Sequence, residues 1–310
     1  MKICIWITKI FDLGGTKRVV SLLANELVKE HEVTIMTYED RFREDRTMYH
    51  LSEDINVDFI DNSQFVNKHH TPAFCARYLV KKLNDRSGMF NKKSLNPILA
   101  EAIFPQKTRE KWVEYFNSQD YDVILTTASL SLRLAMIAPR LKAATIGWQH
   151  NCYDGYLHVK PVVFWQQENL LQQYLPNLDR YIVLSDYDKR DYMEKLGIDC
   201  EVKINPRSFV SEKKCDVKSK RFLMATRFVY AKGLDLMMES FEEFCKEDSE
   251  WELDIIGDGD LFDQIRADAK KRHLEKRVHF VGYTNEPEKY YLNSSVFLLP
   301  SRWYIRLKCC

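Results

Sequence analysis

The sequence has little glycine: ten in 310 residues, where an ordinary share is about 7%. It has no CxxC pair among its eight cysteines, which excludes the paired zinc half-sites of ribbons and fingers. It has no stretch of about 18 apolar residues; the nearest approach, 123–141, carries Arg133 in its middle. Gly-x-Ser-x-Gly, HExxH and Walker A motifs are all missing. Serine-hydrolase, zinc-protease and P-loop nucleotidase chemistry therefore has no support. Neither sign of charge dominates, with 46 Lys+Arg against 45 Asp+Glu. That balance excludes a basic nucleic-acid coat and an acidic disordered tail. Residues 1–10 alternate like a strand, without the apolar run of a secretion signal. Scattered cysteines without spacing read as free thiols in a reducing cytoplasm.

What is present is an alternation of short apolar runs and amphipathic stretches. KICIWIT (2–8), EVTIMTY (32–38), DVILT (122–126), 144–148 and RYIVL (180–184) have the length and β-former content of buried strands. Residues 16–29 carry Val19, Val20, Leu22, Leu23 and Leu27 at helical spacing, with Thr16 as N-cap. A second helix, 186–196, is closed by Gly197. The polar stretch SEKKCDVKSK (211–220), opened by Asn205-Pro206, reads as a linker. Beyond it the alternation restarts with strands at 221–225, 251–256, 278–281 and 296–299 and helices between them. The predicted fold class is α/β: two Rossmann-like doubly wound domains, 1–205 and 206–310, the second incomplete. Ligands of such sheets bind at the carboxyl ends of the strands.

The scarce glycines cluster at those ends. Gly14-Gly15 lies between the first strand and the first helix, where a backbone without side chains lets N–H groups approach a phosphate. A tight turn explains it equally well. ATRFVYAKGLD sets Arg227 and Lys232 five residues apart after a strand, suited to neutralising a leaving diphosphate. IIGDGDL holds Gly257 and Gly259, and VHFVGY ends in Gly282 and Tyr283. His150, in GWQHN, stands at a strand end where it can contact a sugar or a hydroxyl acceptor. Glu39 and Asp40 follow the second strand but make no compelling ribose ligand. One segment, 65–93, is strongly basic: Lys68, Arg77, Lys81, Lys82, Arg86, Lys92 and Lys93 stand against Asp85 alone, with aromatics interleaved. It reads as a solvated helix face plus loop, or as an interfacial patch for anionic lipid or a charged acceptor. No motif elsewhere supports nucleic-acid binding.

GGTKRVVSLLANEL, WQHN, IVLSDYDKRDY, INP, TRFVYAKGLDLMMESF, IIGDGDL, VHFVGY and LLPSRW, in that order from residue 11 to 303, together resemble glycosyltransferase family 4, the group 1 transferases of GT-B architecture. The flavour is that of bacterial enzymes building capsule or lipopolysaccharide.

The resemblance implies that domain 1–205 is the acceptor side and domain 206–310 the nucleotide-sugar side. It implies that Arg227 and Lys232 hold the donor diphosphate, and that the loop at Gly15 closes on the donor. His150 would lie near sugar and acceptor, and Tyr283 would line the nucleobase together with the glycine loops. A retaining hexosyl transfer follows, from a nucleotide-diphosphate donor to a polysaccharide or lipid-linked glycan. It needs no cofactor and no metal, and it takes place in the cytoplasm, peripherally at the inner membrane face. Thr226 replaces a glycine common before the arginine. Past Trp303 the resemblance stops. Tyr304 stands where a sugar-contacting glutamate is usual, and no position exists for a second one. This implies a truncated or frame-shifted product with weak or absent catalysis, in which roughly 60 residues, about two βα units, are missing. A non-catalytic scaffold and a sugar-nucleotide epimerase are the alternative readings.

Overall fold

The computed structural model describes residues 1–12, 14–39, 41–65, 71–158, 163–207, 211–284 and 286–302. The chain divides into two compact units, Met1–Ser208 and Phe209–Tyr304; the last eight residues lie outside the described residues.

Unit one is built on seven parallel strands: β1 Lys2–Trp6, β2 Glu32–Thr37, β3 Asn56–Phe59, β4 Val123–Thr127, β5 Ala144–Trp148, β6 Arg180–Val183 and β7 Glu201–Val202. Their order is β3-β2-β1-β4-β5-β6-β7, so the chain reverses direction of growth between β1 and β4. That switch point opens a crevice at the carboxyl ends of both strands. Alternation along β1 explains why both faces are apolar. Ile3 and Ile5 enter one core with Val33 and Ile35, and helix Gly15–Leu27 covers it with Val20 and Ala24. Cys4 and Trp6 enter the other core, under helices Gln106–Ser118 and Ser129–Ile137. A parallel strand buried on both faces must be apolar throughout, which is what made these segments legible.

Unit two has four parallel strands: β8 Arg221–Ala225, β9 Glu252–Ile256, β10 Val278–Gly282 and β11 Val296–Phe297, in the order β10-β9-β8-β11. Leu253 and Ile255 pack beneath helix Leu234–Glu247, through Met237, Met238 and Phe241, and helix Phe262–Lys271, through Ile265 and Ala269. The edge strand β11 pairs with β8 alone and leaves Val296 and Phe297 exposed. The expected strand at 296–299 shortens to two residues, as β7 is also short, because a strand with one neighbour keeps its ladder only where that neighbour reaches.

Two caps are of note. Helix Asp186–Leu196 is capped by Ser185, whose Oγ accepts from the Asp188 N–H at 3.1 Å, and it ends on Gly197 at φ 67°. The expected Thr16 cap of the first helix is corrected. That helix begins at Gly15 with Gly14 as N-cap, a residue with no side chain to accept from the first turn; the Gly14 N–H itself donates to the Tyr49 hydroxyl at 2.8 Å.

Candidate active site

Unit one gathers three loops at the carboxyl edge of its sheet. The first follows β1. It is tied down by Glu39, which stands just past β2: one carboxylate oxygen accepts from the Ile10 N–H at 2.5 Å and the Phe11 N–H at 2.9 Å. Glu39 is buried, and its Oε1 has no partner among the described residues. A carboxylate so placed holds the loop; it is turned away from the ribose role considered in the sequence. Gly15 sits in the first helical turn, and a Cβ added to it would meet nothing within 4 Å. Lys17 leans over the turn, its Nζ 3.2 Å from where a Gly14 Cβ would stand and 3.6 Å from Asp12. A helix start of this kind presents N–H groups that lack intrahelical carbonyls, next to a cation.

The second loop follows β4 and turns at Ala128, held at φ 51° and ψ −128°. For a residue with a Cβ that conformation costs about 1–3 kcal/mol, and such strain collects at functional edges. The third loop follows β5 and carries His150. The Tyr156 hydroxyl accepts from its backbone N–H at 3.3 Å, and Tyr181 donates to Gln149 Oε1 at 3.0 Å. Asp188 accepts the Tyr153 N–H at 2.8 Å, so the helix cap at Ser185 also fixes this loop. The His150 ring lies 4.4 Å from the Trp148 ring and is only 8% exposed; neither ring nitrogen has a partner among the described residues. Burial lowers its pKa to about 4, so the imidazole is neutral near pH 7. A neutral buried ring with both nitrogens unsatisfied is prepared to give or take one hydrogen bond from an incoming ligand.

Unit two stitches its carboxyl-edge loops together through backbone. The Phe228 N–H donates to the Asp258 carbonyl at 2.9 Å, the Leu261 N–H to the Phe228 carbonyl at 3.0 Å, and the Gly257 N–H to the Gly282 carbonyl at 2.8 Å. Gly259 donates to Asp258 Oδ1 at 2.7 Å. Gly257 has φ 126°, and a Cβ there would lie 1.8 Å from the Thr226 carbonyl oxygen. Arg227 is exposed and Lys232 half-buried, and neither meets a carboxylate among the described residues. Burial, and then the neighbouring Arg227, lower the pKa of Lys232. Two neighbouring cations without a carboxylate partner among the described residues repel each other, and an anion between them would relieve that repulsion. Arg302 props the turn that carries Lys232: its guanidinium lies 3.9 Å from the Tyr230 ring centroid, and its Nη1 donates to the Tyr230 carbonyl and to Asp235, each at 2.8 Å. Tyr283, just past β10, is half-exposed.

The residues named from sequence thus divide. His150 and Gly15 share the edge of unit one; Arg227, Lys232, Gly257, Gly259, Gly282 and Tyr283 share that of unit two. The basic segment resolves into helix Pro72–Ser87 and a short turn at Lys93–Leu95. There Lys81, Lys82, Lys92 and Lys93 are exposed, whereas Arg77 is half-buried, 4.0 Å from Glu101. Lys68, Tyr304 and the Cys309-Cys310 pair lie outside the described residues. Sequence reasoning missed Lys17, Ala128, Arg133 and Arg302. Only Lys17 carried a signal, two residues past the glycine pair. Among the described residues no three His, Cys, Asp or Glu side chains converge as metal ligands, and no helix is long and apolar enough to cross a membrane.

Two parallel sheets with glycine turns and unpaired polar groups at their carboxyl edges define a two-unit, doubly wound α/β protein whose ligands bind at the strand ends. The comparisons agree. The family described as Glycosyltransferase Family 4 matches residues 13–208, and that described as glycosyl transferases group 1 matches residues 208–304. The chain belongs to the group 1, family 4 glycosyltransferases, and its fold is GT-B. An uncharacterized glycosyltransferase of Haemophilus influenzae is 25% identical over 186 residues, 58% of this chain and 50% of that protein. The chain spans about half the length of the curated relatives it matches. Two solved structures share the fold at low identity. The lipopolysaccharide outer core galactosyltransferase WaaB is 19% identical with a TM-score of 0.60, covering 97% of this chain and 74% of that one. A variant of S. aureus TarM, solved with UDP, fondaparinux and alpha-GlcNAc-glycerol, is 14% identical with a TM-score of 0.69, covering 97% and 81%.

Proposed function

We propose that the chain moves a hexosyl group from a nucleoside-diphosphate sugar to a polysaccharide or lipid-linked glycan of the capsule or lipopolysaccharide kind, with retention of anomeric configuration. The observation that carries this reading is the Arg227–Lys232 pair, two cations on one loop without a carboxylate partner among the described residues. In the reaction the bond from the anomeric carbon to the diphosphate oxygen breaks. A bond from the acceptor oxygen forms, and the acceptor proton leaves with the diphosphate. Charge develops on the leaving diphosphate, where fixed cations stabilise the transition state more than the ground state. Arg227 and Lys232 serve there in place of a metal. The Gly15 turn and Lys17 add N–H groups and charge. Neutral His150 hydrogen-bonds a hydroxyl of sugar or acceptor, and the loops at Gly257, Gly259, Gly282 and Tyr283 border the base. The WaaB and TarM names support a sugar-nucleotide donor and an envelope glycan acceptor. The protein works in the cytoplasm, with Lys81, Lys82, Lys92 and Lys93 against the inner membrane face.

The test is transfer of label from radiolabelled nucleotide hexoses to cell-envelope acceptor, with and without chelator. The departure at Tyr304 implies weak transfer by this chain; the transfer it does perform should resist chelator and be removed by Arg227→Ala. Consumption of donor without acceptor would point to an epimerase, and nucleotide binding without transfer to a scaffold.

A further inference from the structure

We propose that Arg302 is a positioning residue of the diphosphate site: it holds Asp235 away from Lys232 and so keeps the Lys232 ammonium available to the donor. The inference rests on the reading of Arg227 and Lys232 as the diphosphate site. Local sequence sets the problem that Arg302 answers. Lys232 closes the short turn Tyr230–Lys232, and Gly233 carries the chain into helix Leu234–Glu247. Asp235 stands in the first turn of that helix, where unpaired N–H groups favour a carboxylate. The same choice puts an acid three residues after a half-buried ammonium. Burial and Arg227 disfavour the charge on Lys232, so Lys232 gains from any anion in reach. A carboxylate in permanent reach would compete with the diphosphate.

Arg302 removes that competitor. Its Nη1 donates to Asp235 Oδ1 at 2.8 Å and its Nη2 to Oδ2 at 2.5 Å, a two-pronged pairing that the single ammonium of a lysine does not make. The pairing holds the Asp235 carboxyl below its usual range, so the acid is ionised and already matched. The fork is itself fixed. The guanidinium lies 3.9 Å from the Tyr230 ring centroid, Nη1 also donates to the Tyr230 carbonyl at 2.8 Å, and the Arg302 N–H donates to the Ala231 carbonyl at 2.9 Å. Two residues earlier, the Pro300 carbonyl oxygen lies 2.1 Å from where a Gly233 Cβ would stand. Residues 300–302 thus grip the turn along its length, and the Arg302 side chain is only 17% exposed. The Asp235 side chain is 52% exposed, so water alone would satisfy it and no buried acid needs rescue. An ion pair at such a surface adds little to stability. What it changes is which anion Lys232 meets.

The experiment measures UDP and uridine monophosphate affinity of the full chain by calorimetry. The samples are the unaltered protein, Arg302→Ala, Asp235→Asn, the Arg302→Ala/Asp235→Asn double variant and Lys232→Ala, with a melting temperature taken on each. Arg302→Ala should lower UDP affinity about tenfold and leave uridine monophosphate affinity within about twofold. Asp235→Asn alone should hold or raise UDP affinity. The double variant should recover at least about threefold of the loss, because the acid that Arg302 restrained is gone. Melting temperatures should stay within about 2 °C of one another. A merely structural prop behaves differently: both nucleotides weaken together, and removing Asp235 as well restores nothing. Either of those results overturns the proposal. So does an Arg302→Ala chain that keeps its full preference for UDP while Lys232→Ala loses it. A preference that survives Lys232→Ala would instead overturn the diphosphate reading itself.

Discussion

The two units meet the same demand, a polar edge at the ends of parallel strands, by opposite means. In unit two the edge is shaped by backbone. Gly257 and Gly233 leave no room for a side chain, the latter because a Cβ would lie 2.1 Å from the Pro300 carbonyl oxygen. In unit one the edge is shaped by side chains. Glu39 and Tyr49 tether the first loop, His150 is buried with its nitrogens unsatisfied, and Gly15 has open space around its α-carbon. A glycine can thus be demanded by the protein's own packing or left clear for a ligand, and the sequence alone does not tell the two apart. Unit two uses glycines to fold the cradle; unit one keeps one vacant.

That contrast can be broken most forcefully at Gly257. Gly257→Ala should cost about 3 kcal/mol or more and unfold unit two, since a positive φ and a backbone clash coincide; limited proteolysis checks it. Retention of a wild-type melting temperature would undo the argument that packing requires this glycine. Next comes His150. Its folded pKa of about 4 lies below the ordinary 6.5, so the unfolded chain takes up the proton first as pH falls. The neutral ring's contribution is complete above about pH 6.5 and is lost as pH falls toward 4. Stability should decline over that window by up to about 3 kcal/mol, and His150→Gln should flatten the decline in pH-dependent urea titrations. Third, Arg227→Ala and Lys232→Ala should each cost about 2 kcal/mol of nucleoside-diphosphate affinity. Neither should lower the melting temperature, since each relieves a like-charge contact. The smallest effect belongs to Gly15→Ala. A helix gains up to about 1 kcal/mol from alanine, so thermal stability should hold or rise slightly while donor affinity falls.

Strands buried on both faces were plain in the sequence, and 144–148 and 221–225 fall where the apolar runs put them. Helix 186–196 was equally plain, because its cap and its terminal glycine are local signals. What escaped was non-local. Thr16 reads as a cap because a threonine precedes the apolar periodicity, yet the helix starts one residue earlier at Gly15, and the contact that anchors that start, Gly14 N–H to Tyr49, comes from 35 residues away. Glu39 was weighed as a ligand because nothing in its neighbours shows that the carboxylate folds back onto Ile10 and Phe11. Arg133 carried no pattern at all; it lines a cavity assembled by four helices. The start of helix 72–87 was legible but went unread: Thr71 accepts from Phe74 N–H at 3.2 Å, with Pro72 behind it.

The central claim is that Arg227 and Lys232 hold a diphosphate. Calorimetric titration of the 310-residue chain with a uridine nucleotide pair tests it most directly. UDP should bind at least tenfold more tightly than uridine monophosphate, and Lys232→Ala should erase most of that difference. Equal affinity for the two nucleotides, or a preference for UDP that survives loss of both cations, would contradict the account.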